Sequence, residues 1–249
     1  MIQSILITGG GSGIGAALAT ALAGRNCRVI VSGRRQAALE AVASQSPLIT
    51  SCPADVTKED DRAALVDALS KLPAPRAVFH GAGYFQLGRL DSLSASDWQS
   101  SFETNVTARW ALSTQCAPYL GGGRVLFIGS DSGRHLRVGA AAYSIAQSAS
   151  ETLRRGFQAE WADRDTAVGA FKPGLVDTEM VRGFLATPEA EFPARSAFQS
   201  YIDQGEFSTA ERVAAFAAWL LLEVETPRFT ATEWDIRDSG HHAEWLEGR

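Results

Sequence analysis

A glycine-rich segment near the start of the chain constrains the fold more than any other part of the sequence. Residues 8–15 read Thr-Gly-Gly-Gly-Ser-Gly-Ile-Gly, with an apolar run before them at 2–7 and an alanine- and leucine-rich run after them at 16–23. Strand, glycine loop and helix in this order build a phosphate cradle, because glycine lets a ligand approach without an intervening Cβ and the helix N-terminus attracts anions. The segment therefore predicts a dinucleotide site. Its candidate binding residues are Gly9, Gly11, Ser12, Gly13, Ile14 and Gly15.

Strand-like and helix-like runs alternate along the rest of the chain. Further strands are predicted at residues 27–32, 48–52, 76–80, 124–128, 166–171 and 229–236, and helices at 36–44, 57–71, 94–119, 143–163 and 208–223. This alternation predicts an α/β protein whose doubly wound parallel sheet has about seven strands and helices on both faces, the Rossmann fold. The chain has 249 residues, so residues 1–249 are expected to form a single domain.

The composition narrows the classes of function. Hydrophobic residues make up 45% of the chain, which supports a full core. The net charge is −5 and no run is rich in lysine and arginine, so no nucleic-acid partner is expected. No apolar run reaches membrane-spanning length, and the three cysteines are odd in number and lack metal-ligand spacing. We therefore expect a cytoplasmic protein with reduced thiols, no metal site and no membrane partner.

The end of the second predicted strand bears on which dinucleotide binds. An NAD-specific site carries Asp or Glu there to bind the ribose 2′-hydroxyl, but this chain has Gly33, Arg34 and Arg35. Arg34 can hold a 2′-phosphate with two hydrogen bonds, so NADP(H) is favoured over NAD(H), and Arg35 is a second candidate contact. The alternative is that both arginines are solvated loop residues.

Two further segments follow predicted strands. Asp55 and Val56 follow the third strand, where Asp55 is either a turn residue or a contact to the adenine. Gly81, Ala82 and Gly83 follow the fourth strand. Because the carboxyl ends of parallel strands face the ligand crevice, a turn of small residues there fits a cofactor that lies across it.

Taken in order, these motifs resemble those of the short-chain dehydrogenase/reductase family over nearly the whole chain. Asn105 stands where the family has a helix-kinking active-site Asn, and Ser130 and Tyr143 have the spacing of the family's carbonyl-binding Ser and proton-donating Tyr. Residues 80–83 resemble the family's Asn-Asn-Ala-Gly motif, with His80 in place of an Asn. The segment that would hold the nicotinamide amide contains Pro173, Gly174, Val176 and Thr178.

The resemblance implies an NADP(H)-dependent oxidoreductase that moves a hydride between nicotinamide and a carbonyl or secondary alcohol. Ser130 would bind the carbonyl oxygen, Tyr143 would give or accept the proton, and Asn105 would organise water. The resemblance also implies a homodimer or homotetramer, assembled through the two long helices predicted near 95–119 and 143–163.

One position departs from the family motif Tyr-x-x-x-Lys, because Gln147 stands where the lysine is expected. In the family, the lysine hydrogen-bonds the nicotinamide ribose and its charge lowers the pKa of the tyrosine. Gln147 lies one helical turn after Tyr143 and can still bind the ribose, but it carries no charge. Two alternatives follow. The protein is a working enzyme, with Lys172 as a hypothetical source of the charge, or it is a catalytically impaired NADP-binding sensor or scaffold.

The segment at residues 179–207 shows no clear periodicity and is predicted to form a lid over the substrate. Its apolar residues Phe184, Leu185, Phe192 and Phe198 are candidates for the wall of an apolar pocket. The alternative is that they pack beneath a long loop.

Overall fold

A seven-stranded parallel sheet forms the centre of the structure, a computed structural model that describes residues 1–189, 192–193, 195–205 and 207–246. Its strands are β1 (Ser4–Thr8), β2 (Arg28–Gly33), β3 (Ile49–Pro53), β4 (Arg76–His80), β5 (Gly123–Ile128), β6 (Thr166–Lys172) and β9 (Trp234–Asp235). They lie in the order β3–β2–β1–β4–β5–β6–β9, and every pair is parallel. Two short strands, β7 (Leu175–Val176) and β8 (Phe207–Ser208), pair separately. The predicted α/β fold is confirmed.

Helices cover both faces of this sheet, as the sequence predicts. They are α1 (Gly13–Ala23), α2 (Gln36–Ala43), α3 (Glu59–Ser70), α4 (Ala95–Phe102), α5 (Ala108–Cys116), α6 (Ala141–Glu160), α7 (Glu179–Ala186), α8 (Arg195–Asp203), α9 (Ala210–Leu222), α10 (Thr226–Ala231) and α11 (His242–Leu246). On β1, Ile5 and Ile7 pack in the layer of α1, α2 and α9, whereas Leu6 packs in the layer of α3, α5 and α6. Successive side chains of a strand point to opposite faces, so one buried strand serves both cores.

The order of the strands places a crevice at the end of β1. The chain runs from β1 outward to β2 and β3, and then returns to the other side of β1 as β4. Thr8, the last residue of β1, pairs with Ser32 of β2 and with His80 at the end of β4. Open α/β sheets bind their ligands at such a reversal of strand order, beyond the carboxyl ends of the strands.

The helix predicted at residues 94–119 is interrupted, so the prediction of one regular helix is wrong. After α4, residues Glu103–Thr107 form a π-helical turn, α5 follows, and a 3-10 turn at Ala117–Tyr119 ends the run. Asn105 lies in the π-helical turn and is fully buried. Such turns are frequent at functional sites.

The last strand is shorter than predicted. Pro227 lies in the first turn of α10, where its fixed φ favours a helix, and Phe229 is therefore helical. Only Trp234 and Asp235 pair with β6.

The predicted lid at residues 179–207 contains the two helices α7 and α8 rather than an irregular loop. Residues 190, 191, 194 and 206 of this segment lie outside the described residues. The lid ends in β8, whose partner β7 lies within the segment 173–178. Among the helices that the structure describes, none is both long enough and apolar enough to cross a membrane.

Candidate active site

The glycine segment forms a tight turn between β1 and α1. Gly9 has a φ of 69° and Gly13 a φ of 51°, a conformation that favours glycine. A Cβ on Gly9 would lie 2.6 Å from the Gly81 carbonyl oxygen, and a Cβ on Gly15 would overlap the Gly9 carbonyl oxygen. The Ser12 side chain makes no capping hydrogen bond to α1. The first N–H groups of α1 are therefore open to an anion, so the loop fits the pyrophosphate of a dinucleotide.

The Thr8 hydroxyl joins this cradle to the next strand end. It donates a hydrogen bond to the Phe79 carbonyl oxygen and accepts hydrogen bonds from the N–H groups of Gly81 and Ala82, each at 3.2 Å. The sequence identifies the small residues of both loops, but not the threonine that fixes one loop against the other.

The two arginines after β2 are exposed at the same edge of the sheet. The Arg35 guanidinium donates to the Ser12 hydroxyl at 2.8 Å. Asp55 accepts hydrogen bonds from the Thr57 N–H at 3.0 Å and the Thr57 hydroxyl at 2.7 Å. Burial would raise the pKa of Asp55, but these hydrogen bonds and the charge of Arg34 lower it overall. Asp55 is thus a turn residue whose carboxylate also lies near Arg34.

A cavity of about 1110 Å³ begins at this cradle and extends past the end of β5 to the lid. Every residue that the sequence predicts to bind the cofactor lies on its wall, and so do Ser130, Tyr143 and Gln147. One continuous cavity therefore joins the predicted cofactor site to three of the four predicted catalytic residues.

Those three side chains meet on one wall. Ser130 follows β5, and its Oγ accepts a hydrogen bond from the Ser132 N–H at 3.1 Å. Tyr143 lies in the first turn of α6, and Gln147 lies one turn later. Burial raises the pKa of Tyr143, whereas the charge of Arg109 and hydrogen bonds with Ser130 and Gln147 lower it. The net direction is upward.

Asn105, the fourth predicted catalytic residue, is not on the cavity wall. Its Oδ1 accepts a hydrogen bond from the Tyr84 N–H at 3.1 Å, and its Nδ2 donates to the Tyr84 carbonyl oxygen at 2.8 Å. One backbone residue thus holds both ends of the amide, and the predicted role of Asn105 in organising water stays a prediction. Tyr84 does line the cavity, and its hydroxyl donates to Asp97 at 2.7 Å. Asn105 thus shapes the wall through Tyr84.

The sequence analysis did not identify Arg109 and Arg237, which both line the cavity. Arg237 forms ion pairs with Asp131 at 2.7 Å and with Asp235 at 2.6 Å, which explains the acidic residue next to Ser130. Asp131 and Arg237 are 106 residues apart, so the sequence carries no local signal of the pair. The sequence feature that could have identified Arg109 is its position among apolar residues in a helix that packs on the sheet.

Lys172 is not on the wall of this cavity among its described lining residues. The pKa of Glu233 is lowered chiefly by its hydrogen bond with Arg134 and to a smaller extent by Lys172. Lys172 instead lines a neighbouring cavity whose wall also includes Ser130 and Gln147, but its charge is not among the influences that shift the pKa of Tyr143. The hypothesis that Lys172 supplies the missing charge to Tyr143 stays a prediction.

Aromatic side chains of the lid close the far end of the cavity. Three of the predicted pocket residues line it: Phe184, Phe192 and Phe198. The ring of Phe85 lies 4.0 Å from that of Phe184 and 4.7 Å from that of Tyr143, measured between centroids. Leu185 packs against this cluster and does not line the cavity. The Tyr143 ring thus contacts Phe85, which packs against the aromatic side chains of the lid.

Comparison with known proteins places this site in a family. The sequence model of the family described as short chain dehydrogenase matches residues 3–189, which is more than half of the chain. The chain belongs to the short-chain dehydrogenase family. It is accordingly an NAD(P)-dependent oxidoreductase that acts on a small molecule.

Relatives of this short-chain dehydrogenase include a protein named for ligand binding and proteins named only as oxidoreductases. A cyclic-di-GMP-binding biofilm dispersal mediator protein of Escherichia coli (strain K12) is 32% identical over 222 residues, which cover 88% of this chain and 89% of that protein. An uncharacterized oxidoreductase of Staphylococcus aureus is 29% identical over 194 residues, 73% of this chain and 81% of that protein. The structure of a mutant short-chain dehydrogenase/reductase from Serratia marcescens superposes with a TM-score of 0.75 at 26% identity, covering 94% of each chain.

Proposed function

We propose that this short-chain dehydrogenase transfers a hydride between NADP(H) and an apolar carbonyl compound or secondary alcohol. The observation that carries this proposal is that Ser130, Tyr143 and Gln147 share the wall of a cavity that continues into the glycine cradle. A serine and a tyrosine hydroxyl side by side can bind one substrate oxygen and move a proton to or from it.

When bound, NADP(H) would supply or accept the hydride. Ser130 donates a hydrogen bond to the substrate oxygen and holds it near Tyr143. In reduction, the Tyr143 hydroxyl gives its proton to that oxygen while the carbonyl carbon is reduced. In oxidation, the same oxygen returns the proton to the Tyr143 phenolate. Gln147 holds the Tyr143 hydroxyl and binds the ribose hydroxyls.

The remaining wall residues position the cofactor. The N–H groups at the start of α1 would bind the pyrophosphate. Asp55 and Val56 would contact the adenine, and residues 173–178 would hold the nicotinamide amide. The Thr178 hydroxyl accepts a hydrogen bond from the Val181 N–H at 3.4 Å, so the nicotinamide segment also caps the first lid helix. We propose α7 and α8 as the substrate lid on this basis, and the aromatic lining beneath them selects an apolar substrate.

Replacing Arg34 with alanine tests the cofactor preference. A charge-assisted hydrogen bond contributes about 1.5–3 kcal/mol, so the KM for NADPH is expected to rise about 10- to 100-fold, whereas the KM for NADH stays within about threefold. Arg28→Ala is the control, because Arg28 is exposed at the opposite end of β2. Equal losses with both cofactors would contradict the assignment of Arg34 to the 2′-phosphate.

The function itself is tested by NADPH oxidation with a panel of aromatic diketones, quinones and simple ketones. Gln147 favours a second candidate, an NADP-binding sensor or scaffold in which catalysis is impaired. The first candidate requires turnover of a carbonyl compound by the unmodified chain. Binding of NADPH, seen as enhanced fluorescence, with no turnover across the panel would favour the second.

We further propose that the protein is a cytoplasmic homodimer or homotetramer. Trp98 and Trp110 are exposed, on α4 and α5 respectively, and Tyr119 is exposed just beyond α5. Large aromatic residues exposed on one helical run are typical of a surface that another subunit covers. Size-exclusion chromatography with light scattering is expected to give two or four times the 26.6 kDa of one chain, and a monomer would refute the assembly.

A further inference from the structure

The proposed proton transfer lacks the positive charge that the family motif supplies. Gln147 takes the place of the lysine and is neutral. Burial raises the pKa of Tyr143, which makes the phenolate harder to form. A tyrosine that must lose its proton during each cycle therefore needs another cation close by.

Arg109 brings a cation to this wall from a different helix. It lies in α5, is 3% exposed and lines the cavity. Its Nη1 donates to the Ile128 carbonyl oxygen at 3.1 Å and to the Ser150 hydroxyl at 2.9 Å, and its Nη2 lies 3.4 Å from the Ala82 carbonyl oxygen. The guanidinium thus sits where the ends of β4 and β5 meet α6, the helix that carries Tyr143.

The charge of Arg109 is not neutralised by a protein carboxylate. Its hydrogen-bond partners are two carbonyl oxygens and a hydroxyl, and within the described ranges no carboxylate forms an ion pair with it. Its Nε is buried without a hydrogen-bond partner. Burial lowers the pKa of Arg109 to about 10, so the group is still charged at neutral pH. Buried cations are normally paired, and an unpaired one in a cavity wall indicates a functional demand.

We propose that the Arg109 guanidinium supplies to Tyr143 the positive charge that a lysine on α6 supplies elsewhere in the family. The charge has moved to α5, while Gln147 keeps the hydrogen bond on α6. Arg109 is then a positioning residue, because it acts through Tyr143 and does not touch the substrate. The inference rests on the proposed function, since it assigns Arg109 to the proton transfer of that reaction.

The surrounding titratable groups agree with this assignment. Among the influences that lower the pKa of Tyr143, the charge of Arg109 is larger than the hydrogen bonds of Ser130 and Gln147. Arg109 also acts on His80, a titratable group at the end of β4. Burial and the Arg109 charge hold the pKa of His80 well below its usual value, so His80 is neutral and is not an alternative source of charge.

Arg109→Gln is the first test, with alcohol oxidation by NADP⁺ measured across pH. Oxidation needs the Tyr143 phenolate, so activity rises with pH. Loss of the charge is expected to move the midpoint of that rise upward by about 1 to 3 units. Each unit leaves about tenfold less phenolate at neutral pH. The dissociation constant for NADPH is expected to change by less than about threefold, which separates this effect from a general structural one.

Two control variants, Arg109→Lys and Arg124→Gln, are measured alongside Arg109→Gln. Arg109→Lys keeps the charge and is expected to keep the midpoint within about one unit of the unmodified chain. Arg124→Gln removes another partly buried arginine, which donates to the Leu220 and Val224 carbonyl oxygens and is not on the cavity wall. It is expected to leave the midpoint unchanged. A folded Arg109→Gln protein with an unchanged midpoint would overturn the proposal.

Gln147→Lys is measured alone and together with Arg109→Gln. The potentials of two cations add, so the lysine alone is expected to lower the midpoint even in the presence of Arg109 and serves as the reference. In the double variant, Gln147→Lys is expected to bring the midpoint back toward that of the unmodified chain, because a cation at either position lowers the pKa of Tyr143. A midpoint that stays as high as in Arg109→Gln would count against the proposal.

A titration that needs no turnover tests the role of Arg109 independently of the proposed reaction. The ultraviolet absorbance of tyrosinate is recorded against pH for the unmodified chain and for Arg109→Gln, each with Tyr143→Phe as the blank. An upward shift in the Tyr143 titration without Arg109 supports the electrostatic role even if the carbonyl panel gives no substrate. No shift overturns it even if turnover is found.

Discussion

Replacing Tyr143 with phenylalanine is expected to lower kcat for carbonyl reduction by about 10²- to 10⁴-fold, the usual contribution of a positioned proton donor. The substitution removes only the hydroxyl, and the ring keeps its edge contact with Phe85 at 4.7 Å. Ser130 and Gln147 lose their common partner. The dissociation constant for NADPH is expected to change by less than about threefold, because the cradle is formed by other residues.

Steady-state kinetics with NADPH and fluorescence titration of the cofactor measure the two quantities separately. Tyr119→Phe is the matched control, since Tyr119 is exposed and is not among the described residues of the cavity wall. It is expected to keep kcat within about twofold. Retention of most of the activity by Tyr143→Phe would show that the proton comes from elsewhere, and it would remove the proposed mechanism together with the role of Arg109.

The residues of the cradle were predictable because their requirements are local. A glycine loop alone is a weak signal, since many strand-to-helix turns need glycine, but here it lies between an apolar strand and a helix and has partner segments downstream. The carboxyl ends of parallel strands also meet at one edge of the sheet. Arg34, Asp55, Gly81 and Ser130 each follow a different strand, and the structure has all four on one cavity wall. Local patterns together with the rule for parallel sheets were enough to bring them together.

Arg109 could not be predicted in the same way, because its position depends on three other elements. An arginine in a helix is usually exposed, and nothing within α5 tells that Ala82, Ile128 and Ser150 will surround the guanidinium. The π-helical turn before α5 adds to the difficulty. This turn changes which residues of the helical run face the sheet. A prediction from hydrophobic periodicity assumes a regular helix and therefore misplaces them.

From the sequence alone, Gln147 in place of the family's lysine therefore had two interpretations, a working enzyme or a catalytically impaired sensor or scaffold. A neutral residue at that position indicates lost catalysis only if no other cation reaches Tyr143. A buried arginine without a carboxylate partner is stable only where the surrounding structure compensates for it, and here carbonyl oxygens from two strand ends do so. The tertiary structure favours the enzyme over the sensor for this reason.

Replacing Gly9 with alanine is expected to have a large structural effect, because both the backbone conformation and the space at this position exclude a methyl group. Gly9 has a φ of 69°, which costs an alanine about 1–2 kcal/mol. The new Cβ would also lie 2.6 Å from the Gly81 carbonyl oxygen and 2.8 Å from the Ala82 nitrogen. Both are backbone atoms of a segment that the Thr8 hydroxyl holds through the N–H groups of Gly81 and Ala82, so they cannot move freely. Overpacking of this kind adds about 1–3 kcal/mol.

The free energy of unfolding is then expected to fall by about 2–5 kcal/mol and the Tm by about 4–20 °C. Affinity for NADPH is expected to fall by at least about tenfold, because the displaced segments both line the cofactor site. Gly121→Ala is the control, since no atom lies within 4 Å of its Cβ position, and its Tm is expected to stay within about 2 °C. A Gly9→Ala protein with unchanged Tm and NADPH affinity would mean that the β1 and β4 loops do not need their close backbone contact.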